Sequence, residues 1–179
     1  RNNDELVATY GNLVHRVLSF AYRNFEGMVP SPGALDPRSK ELLHNAESLL
    51  DKVDRALYRC SFKEAVREAM LLAQETNRYL DEQAPWKTIK EDRQASARAV
   101  FTAIASLSAL KTALYPVLPF SSAKLHSLLG FDRSLVDEGW RFQPPLAGQK
   151  LGEPQHLFVK LDEALAEQES GRLGLAYEG

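Results

Sequence analysis

The chain has 179 residues, of which 44% are hydrophobic and 26% are charged, and its formal net charge is −2. This composition is typical of one globular domain and excludes a disordered or fibrous chain. A lone cysteine excludes an internal disulfide and a Cys-cluster metal site, and the four histidines are too scattered to show ligand spacing. The near-zero charge argues against binding nucleic acid by bulk electrostatics, although it leaves room for a local cationic stripe.

The first predicted helix runs from Leu6 to Phe20, where apolar residues recur every three or four positions. Asn3 precedes it as an N-cap. Residues 1–4 lack a methionine and lead directly into the helical pattern, so we interpret the sequence as part of a longer chain. The stretch 25–33 contains two prolines and two glycines and predicts a loop.

Two further helices follow this loop. Asp36 as a cap and Pro37 at the first helical position predict the start of the second helix. Ser61 and Glu64 have the spacing of a capping box and predict the start of the third. Pro85 predicts where the third helix ends.

The remaining helical pattern comprises one long and one short segment. A fourth helix is predicted from Asp92 to the residue before Pro116 and, after a turn at 119–120, a short fifth helix over 122–129. These elements on short connections predict an all-α fold, an antiparallel bundle of about five helices. No apolar run approaches the roughly 20 residues that span a bilayer, which argues against a membrane protein.

The composition changes after residue 138. The segment 140–160 contains three prolines and two glycines and predicts an extended arm with room for one hairpin. Residues 161–169 predict a short terminal helix. We therefore divide the chain into a helical bundle, residues 1–138, and a C-terminal arm with its helix, residues 139–179.

The sequence contains none of the common catalytic motifs: no P-loop, no Rossmann glycine fingerprint, no H-E-x-x-H and no G-x-S-x-G. Cys60 lies between two predicted helices beside Arg59, and a small buried side chain is favoured there over a reactive thiol. The histidines are interpreted as surface or interhelical residues. We assign no catalytic residue and no metal ligand.

The first helix carries a polar stripe beside its apolar face. At about 100° per residue, Asn12, Arg16, Ser19 and Arg23 lie together on one flank. Asn12 and Arg16 are one turn apart, and an amide beside a guanidinium offers the donors and the acceptor that read the edge of a base. The alternative is a polar flank that only contacts solvent.

Trp86 follows Pro85 at a helix break and lies outside the apolar stripe. An aromatic ring in such a place can serve as a stacking platform for an unpaired base, which contributes about 1–3 kcal/mol per base. The alternative is a tryptophan that closes the end of the bundle core. The residues alone leave both interpretations open.

The stretch 81–86, with the sequence DEQAPW, resembles the signature of the anticodon-binding domain of methionyl-tRNA synthetases. It is preceded by Asn-Arg-Tyr at 77–79. The first helix is similar too, with Gly-Asn-Leu-Val at 11–14 followed by an arginine, as are the segments 116–130 and 157–160. The resemblance extends over residues 3–165.

This resemblance implies an α-helical bundle that follows a catalytic domain and holds the unstacked CAU anticodon of methionine tRNA. It implies that Trp86 stacks on an anticodon base, and the first anticodon base is the one expected. Asn12 and Arg16 would then read the Watson–Crick edge of that base, and Pro85 would shape the loop that carries the tryptophan.

The resemblance also implies less specific contacts. Arg23 and Lys87 would contact phosphates, which position the RNA without reading its sequence. The arm of the family folds back toward the catalytic domain, so Leu157, Phe158 and Lys160 are expected to make an interdomain contact.

The adenylate-forming motifs of the family, its two catalytic signatures and its zinc-knuckle cysteines are absent and would precede residue 1. We therefore expect a chain that binds tRNA without charging it, with ATP, Mg and zinc confined to the catalytic part. We expect a cytoplasmic or organellar protein without DNA or membrane partners. The alternatives are the bundle of another class I synthetase, or a helical protein-interaction module that reuses the fold without reading RNA.

Overall fold

The computed structural model describes residues 2–158, with side chains from Leu6 onward. The described chain is helical, which confirms the all-α prediction. A wide, π-type helix (Asn2–Gly11) comes first. The predicted terminal helix and Lys160 lie outside the described residues. The α-helices are α1 (Asn12–Asn24), α2 (Pro37–Tyr58), α3 (Phe62–Gln83), α4 (Pro85–Thr88), α5 (Arg93–Leu114), α6 (Pro119–Leu128) and α7 (Leu135–Glu138).

Helix α5 lies at the centre of the bundle and contacts α1, α2, α3, α4 and α6. From Thr102 to Leu114 every residue of this helix is buried, and all of them except Lys111 are small or apolar. It has 22 residues, its most apolar 18-residue window has a mean hydropathy of 1.2, and it is the one described helix long and apolar enough to cross a membrane. However, 89% of its most apolar window is buried inside the fold, as expected for a core helix.

Two predicted helix starts are confirmed by their caps. The Asp36 carboxylate accepts a hydrogen bond from the Ser39 amide at 2.7 Å, with Pro37 in the first turn. The Asp92 carboxylate accepts one from the Ala95 amide at 2.9 Å. Each cap satisfies an amide that has no partner within its own helix.

The predicted capping box at the start of α3 is wrong, although the helix begins where expected. The Ser61 side chain makes no capping hydrogen bond, because its backbone (φ −88°, ψ 60°) is not extended. The Glu64 carboxylate instead pairs with the Arg59 guanidinium at 3.3 Å. Cys60 is exposed rather than buried, because it takes the left-handed conformation (φ 57°) that ends α2.

Two more boundaries differ from the prediction. The expected turn at 119–120 is the first turn of α6, with Pro119 at the position where a missing amide proton costs nothing. The first helix changes from π-type to α at Gly11. A Cβ there would lie 3.0 Å from the Leu6 carbonyl oxygen and 3.1 Å from the Phe158 ring, so the absence of a side chain permits this junction.

The arm pairs with the loop that follows α1, and the hairpin predicted within it is absent from its described part. Lys150 forms an isolated antiparallel bridge with Met28. The Leu151 amide donates to the Gly27 carbonyl at 2.7 Å, and the Gly152 amide donates to the Leu128 carbonyl at 2.9 Å. The arm is therefore extended, as predicted, but its backbone partners belong to the bundle.

Beyond this bridge the arm runs back along α1 toward its N-terminal end. The Phe158 ring lies 5.9 Å from the Tyr10 ring, centroid to centroid. Leu157 and Phe158 both pack against the hydrophobic core of this chain. The structure thus gives these two residues a partner within the chain, where the family resemblance led us to expect an interdomain contact.

The packing of the arm can be tested at Gly130, which has a positive φ and lies against the Lys150 carbonyl oxygen. A Cβ at Gly130 would overlap that oxygen, so Gly130→Ala should force the arm away and lower the free energy of unfolding, as measured in urea. Gly148→Ala is the matched control, because Gly148 has a similar φ and open space around it. Gly148→Ala should lower the free energy of unfolding by about 1–2 kcal/mol, from backbone strain alone. Equal losses in both variants would contradict the described packing.

Candidate nucleic-acid interface

A cleft of about 740 Å³ lies between α1 and the corner where α3 meets α4. Its floor is formed by apolar residues and its rim by polar ones. The lining residues are Ala8, Asn12, His15, Arg16, Val17, Ser19, Phe20, Arg23, Asn24, Asn77, Leu80, Pro85, Trp86 and Val100.

Five of the six residues predicted to contact RNA line this one cleft: Asn12, Arg16, Arg23, Pro85 and Trp86. The predicted polar stripe on α1 therefore faces the predicted stacking residue, although 60 to 75 residues separate them in sequence. The sixth, Lys87, is exposed on α4 but is not part of the lining. The binding roles of all six remain predictions.

The corner that carries Trp86 is built from two backbone features. Ala84 takes a left-handed conformation (φ 42°, ψ 56°), which ends α3. Pro85 then begins α4 at its first position, is buried, and accepts a hydrogen bond from the Ser96 hydroxyl at 3.0 Å. A left-handed alanine costs about 1–2 kcal/mol, so the surrounding contacts must hold it in place.

Trp86 is about one-third exposed (36%) and does not belong to the buried core cluster. A tryptophan that closed the end of the core would be buried by the helices around it. The structure therefore favours the interpretation of Trp86 as an aromatic surface that opens into the cleft.

The Arg16 guanidinium lies over the Trp86 ring, with its carbon 4.4 Å from the ring centroid. The same guanidinium forms a salt bridge with the Asp81 carboxylate at 3.1 Å. Both side chains of this pair are largely exposed, so the salt bridge contributes at most about 1 kcal/mol. Nothing in the sequence pattern indicated Asp81 as the partner of Arg16, because the contact joins two different helices.

The lining is cationic in a chain whose net charge is slightly negative. It contains two arginines and no carboxylate, and Arg23 makes no salt bridge with any described acid. Several acidic side chains are instead gathered on the opposite side of α3, where Arg38 binds Glu41, Glu75 and Glu82 at 2.9–3.1 Å. This partition of charge leaves the cleft suited to an anion.

His15 also lines the cleft, a position that the sequence analysis did not recognise. Its Nε2 lies 3.4 Å from the Ser19 hydroxyl. The pKa of His15 is lowered from the ordinary imidazole value by burial, by the neighbouring His156 and by the charge of Arg23. At neutral pH this imidazole is therefore uncharged.

An aromatic surface, an exposed amide and two guanidiniums around a carboxylate-free cleft suit the recognition of an unpaired base and its phosphates. No group of three or more His, Cys, Asp or Glu side chains that could hold a metal occurs among residues 2–158. The fold and the cleft thus define a class, an α-helical domain with a cleft whose lining suits an unpaired base.

Comparison with known proteins identifies the family within this class. The family described as the anticodon binding domain of methionyl tRNA ligase matches residues 29–175. This match covers most of the chain, and the chain therefore belongs to that family. The resemblance seen in the sequence is confirmed.

Curated relatives agree with this assignment. The chain is 52% identical over 175 residues to a methionine–tRNA ligase of Dehalococcoides mccartyi, covering 98% of this chain and 32% of that protein. It is 44% identical over 199 residues to a methionine–tRNA ligase of Thermomicrobium roseum, covering 97% of this chain and 34% of that protein. The chain thus spans about a third of the length of these relatives.

Solved structures show the same fold. The methionyl-tRNA synthetase of Mycobacterium tuberculosis bound by methionyl-adenylate superposes with a TM-score of 0.80 at 28% identity. The match covers 89% of this chain and 32% of that one. The free form of the same enzyme matches with a TM-score of 0.80 at 27% identity.

The contact between Arg16 and Trp86 can be tested by acrylamide quenching of fluorescence. In a Trp140→Phe background, Trp86 is the remaining tryptophan of the chain. Arg16→Ala should uncover one ring face and increase quenching, with the loss of about 0.5–1 kcal/mol of cation–π interaction. Arg78→Ala is the control, because Arg78 is exposed on α3 and pairs with Glu82 away from the ring. Unchanged quenching in Arg16→Ala would contradict the stacked arrangement.

Proposed function

We propose that this chain binds the CAU anticodon of methionine tRNA as the anticodon-recognition domain of a methionine–tRNA ligase. One observation carries the proposal: Asn12, Arg16 and Trp86 converge on a single carboxylate-free cleft. Membership in the family of anticodon-binding domains supports it. The finer assignment, to the base that each residue reads, is what the resemblance to this family implies, and the chemistry of the cleft is compatible with it.

In this proposal the first anticodon base stacks on Trp86. Arg16 covers one face of the ring in the free chain, so an incoming base either takes the other face or displaces the guanidinium. Displacement costs the cation–π contact and the exposed salt bridge, together about 1–2 kcal/mol. Stacking contributes about 1–3 kcal/mol, so the exchange is close to balanced before any edge contact forms.

Edge contacts then select the base. The Watson–Crick edge of cytosine presents one donor, the N4 amino group, and two acceptors, N3 and O2. The Arg16 guanidinium can donate to both acceptors at once, and the Asn12 amide can accept from the amino group. Asn12 is exposed at the start of α1, one turn before Arg16, so both side chains can reach one base.

Arg23 and Lys87 would contact phosphates on either side of the stacked base. Arg23 lies about two turns beyond Arg16 at the same cleft, and Lys87 follows Trp86 on α4. Both are exposed and neither pairs with a described carboxylate. Such contacts add affinity that falls with salt and is the same for every base sequence.

Charging of the tRNA would belong to the rest of the ligase, as would its ATP, Mg and zinc. We propose that the arm connects this domain to the catalytic part through surfaces not already packed on α1. The division of the chain into a helical bundle, residues 1–138, and a C-terminal arm, residues 139–179, is also part of this proposal. The relatives come from bacteria, and the proposed site of action is accordingly the cytoplasm, with tRNA rather than DNA or a membrane as the partner.

The central test is a fluorescence titration at one stated salt concentration with two anticodon hairpins. One carries CAU, and the other differs only in the first anticodon base. Preferential binding of the CAU hairpin would support the proposal. Equal binding would favour non-specific electrostatics, and no binding at low salt would favour a protein-interaction module.

Trp86→Ala should weaken binding of the CAU hairpin by about 1–3 kcal/mol, because one base stack is lost. Trp140→Ala is the matched control: Trp140 is similarly exposed but lies outside the cleft. The measurement is the dissociation constant by fluorescence anisotropy of a labelled hairpin, which does not rely on tryptophan emission. Equal affinities for Trp86→Ala and the parent would show that the ring is not a stacking surface.

Arg16→Ala and Arg23→Ala should have different effects on hairpin binding. Loss of Arg16 should reduce the preference for cytosine at the first position by about 1–3 kcal/mol. Loss of Arg23 should weaken all hairpins alike and reduce the slope of log affinity against log salt by about one. Affinities measured over a salt series for both hairpins separate the two effects. A uniform loss in Arg16→Ala would make Arg16 a phosphate contact instead.

A further inference from the structure

The arm makes a side-chain contact with α1 at the wall of the cleft. The His156 ring lies on the His15 ring, with centroids 3.9 Å apart and planes 18° apart. His15 therefore contacts the arm through this stack, and it also lines the cleft. The two histidines are 141 positions apart in sequence, and neither is explained by anticodon reading.

His15 connects the arm to the polar side of α1. Its Nε2 lies 3.4 Å from the hydroxyl of Ser19, which lines the same cleft. Its neighbours on the helix are Asn12, one turn earlier, and Arg16, the next residue. A change in the position of the His15 ring therefore changes the wall from which both proposed reading residues project.

The surroundings of the stack favour a neutral His15 ring. Nδ1 of His15 is buried and has no hydrogen-bond partner, so a proton there would find no acceptor. Arg23 of α1 faces His15 as a positive charge. The Lys124 ammonium of α6 donates to the His156 carbonyl oxygen at 2.9 Å, which adds another positive charge nearby. Glu153, the arm carboxylate closest in sequence, is exposed and bonds to neither ring.

We propose that His156 is a positioning residue for anticodon binding, which holds the cleft wall of α1 through its stack on His15 and releases it when His15 is protonated. This proposal rests on the proposed function. It adds that the arm takes part in forming the reading surface without touching the RNA.

The sign of the pH dependence follows from His15. Burial, the neighbouring His156 and Arg23 lower the pKa of His15, so the docked arm disfavours its charged form. The contribution of the stack is therefore complete above the ordinary imidazole pKa and is lost as the pH falls below it. Hairpin binding should weaken over the same range.

The test measures affinity for the CAU hairpin by anisotropy at about pH 8 and at about pH 5.5, on either side of the ordinary imidazole pKa, at constant ionic strength. The parent chain should lose affinity severalfold at the lower pH. His156→Phe keeps a stacked ring that cannot be charged and should lose clearly less. His156→Ala should bind weakly at both pH values.

His44→Phe is the matched control, because His44 is exposed on α2 and makes no described side-chain contact. It should follow the parent at both pH values. A pH dependence in His156→Phe equal to that of the parent would overturn the proposal, because the loss would then come from another group.

A second measurement separates this proposal from the proposed function. Hydrogen-exchange protection of the Leu151 amide, which donates to the Gly27 carbonyl, reports arm docking without RNA. Protection should fall in His156→Ala and in the parent at low pH, but less in His156→Phe. If no hairpin binds at any pH while protection follows this order, the proposed anticodon function is wrong, but the control of arm docking by the two histidines is supported. Protection that is unaffected by acid and by His156→Ala would overturn the arm proposal itself.

Discussion

The structure depends on the burial of α5. From Thr102 to Leu114 this helix is small or apolar on every face apart from the buried Lys111, so this part must be enclosed on every side. Helices α1, α2, α3, α4 and α6 provide the enclosure. The same requirement brings α1 against the corner between α3 and α4, and the cleft is the space that remains where these elements meet over Val100. The candidate site is therefore a consequence of how the core is closed.

Helix α1 has three functions on its different faces. Its apolar face contributes Leu13, Val14 and Val17 to the core. Its polar flank lines the cleft. The arm packs along the helix, from the loop at 27–29 back to Tyr10 just before α1. A helix held by core packing on one side and by the arm on another has little freedom to tilt, which would suit the base-reading role proposed for its polar flank.

The distribution of charge explains how a slightly acidic chain can carry the cationic cleft that we propose as an RNA site. Acidic side chains are concentrated on α2 and α3, where Arg38 and Asn45 bind several of them. The cleft keeps its arginines without a carboxylate in its lining. Asp81 is the nearest exception, since it holds Arg16 at the rim over the tryptophan. Local arrangement, rather than net charge, therefore decides what the surface binds.

The sequence by itself determined the helical fold, because apolar residues recur at 3.6-residue spacing and because Asp36, Pro37 and Asp92 cap or begin helices through local contacts. It also determined the family, since the DEQAPW stretch and the polar stripe of α1 are both local patterns. Helix ends that depend on neighbours were harder to predict: the left-handed Cys60 and the uncapped Ser61 depend on backbone angles that no side-chain pattern specifies.

Only the tertiary structure decided which distant residues meet. It placed Arg16 on Trp86 and Asp81, directed the arm onto α1, and stacked two histidines that showed no relation in the sequence. The physical reason is that these contacts join different elements. Their geometry is set by how the core packs around α5, and periodicity along one helix carries no information about the helix or strand that will face it.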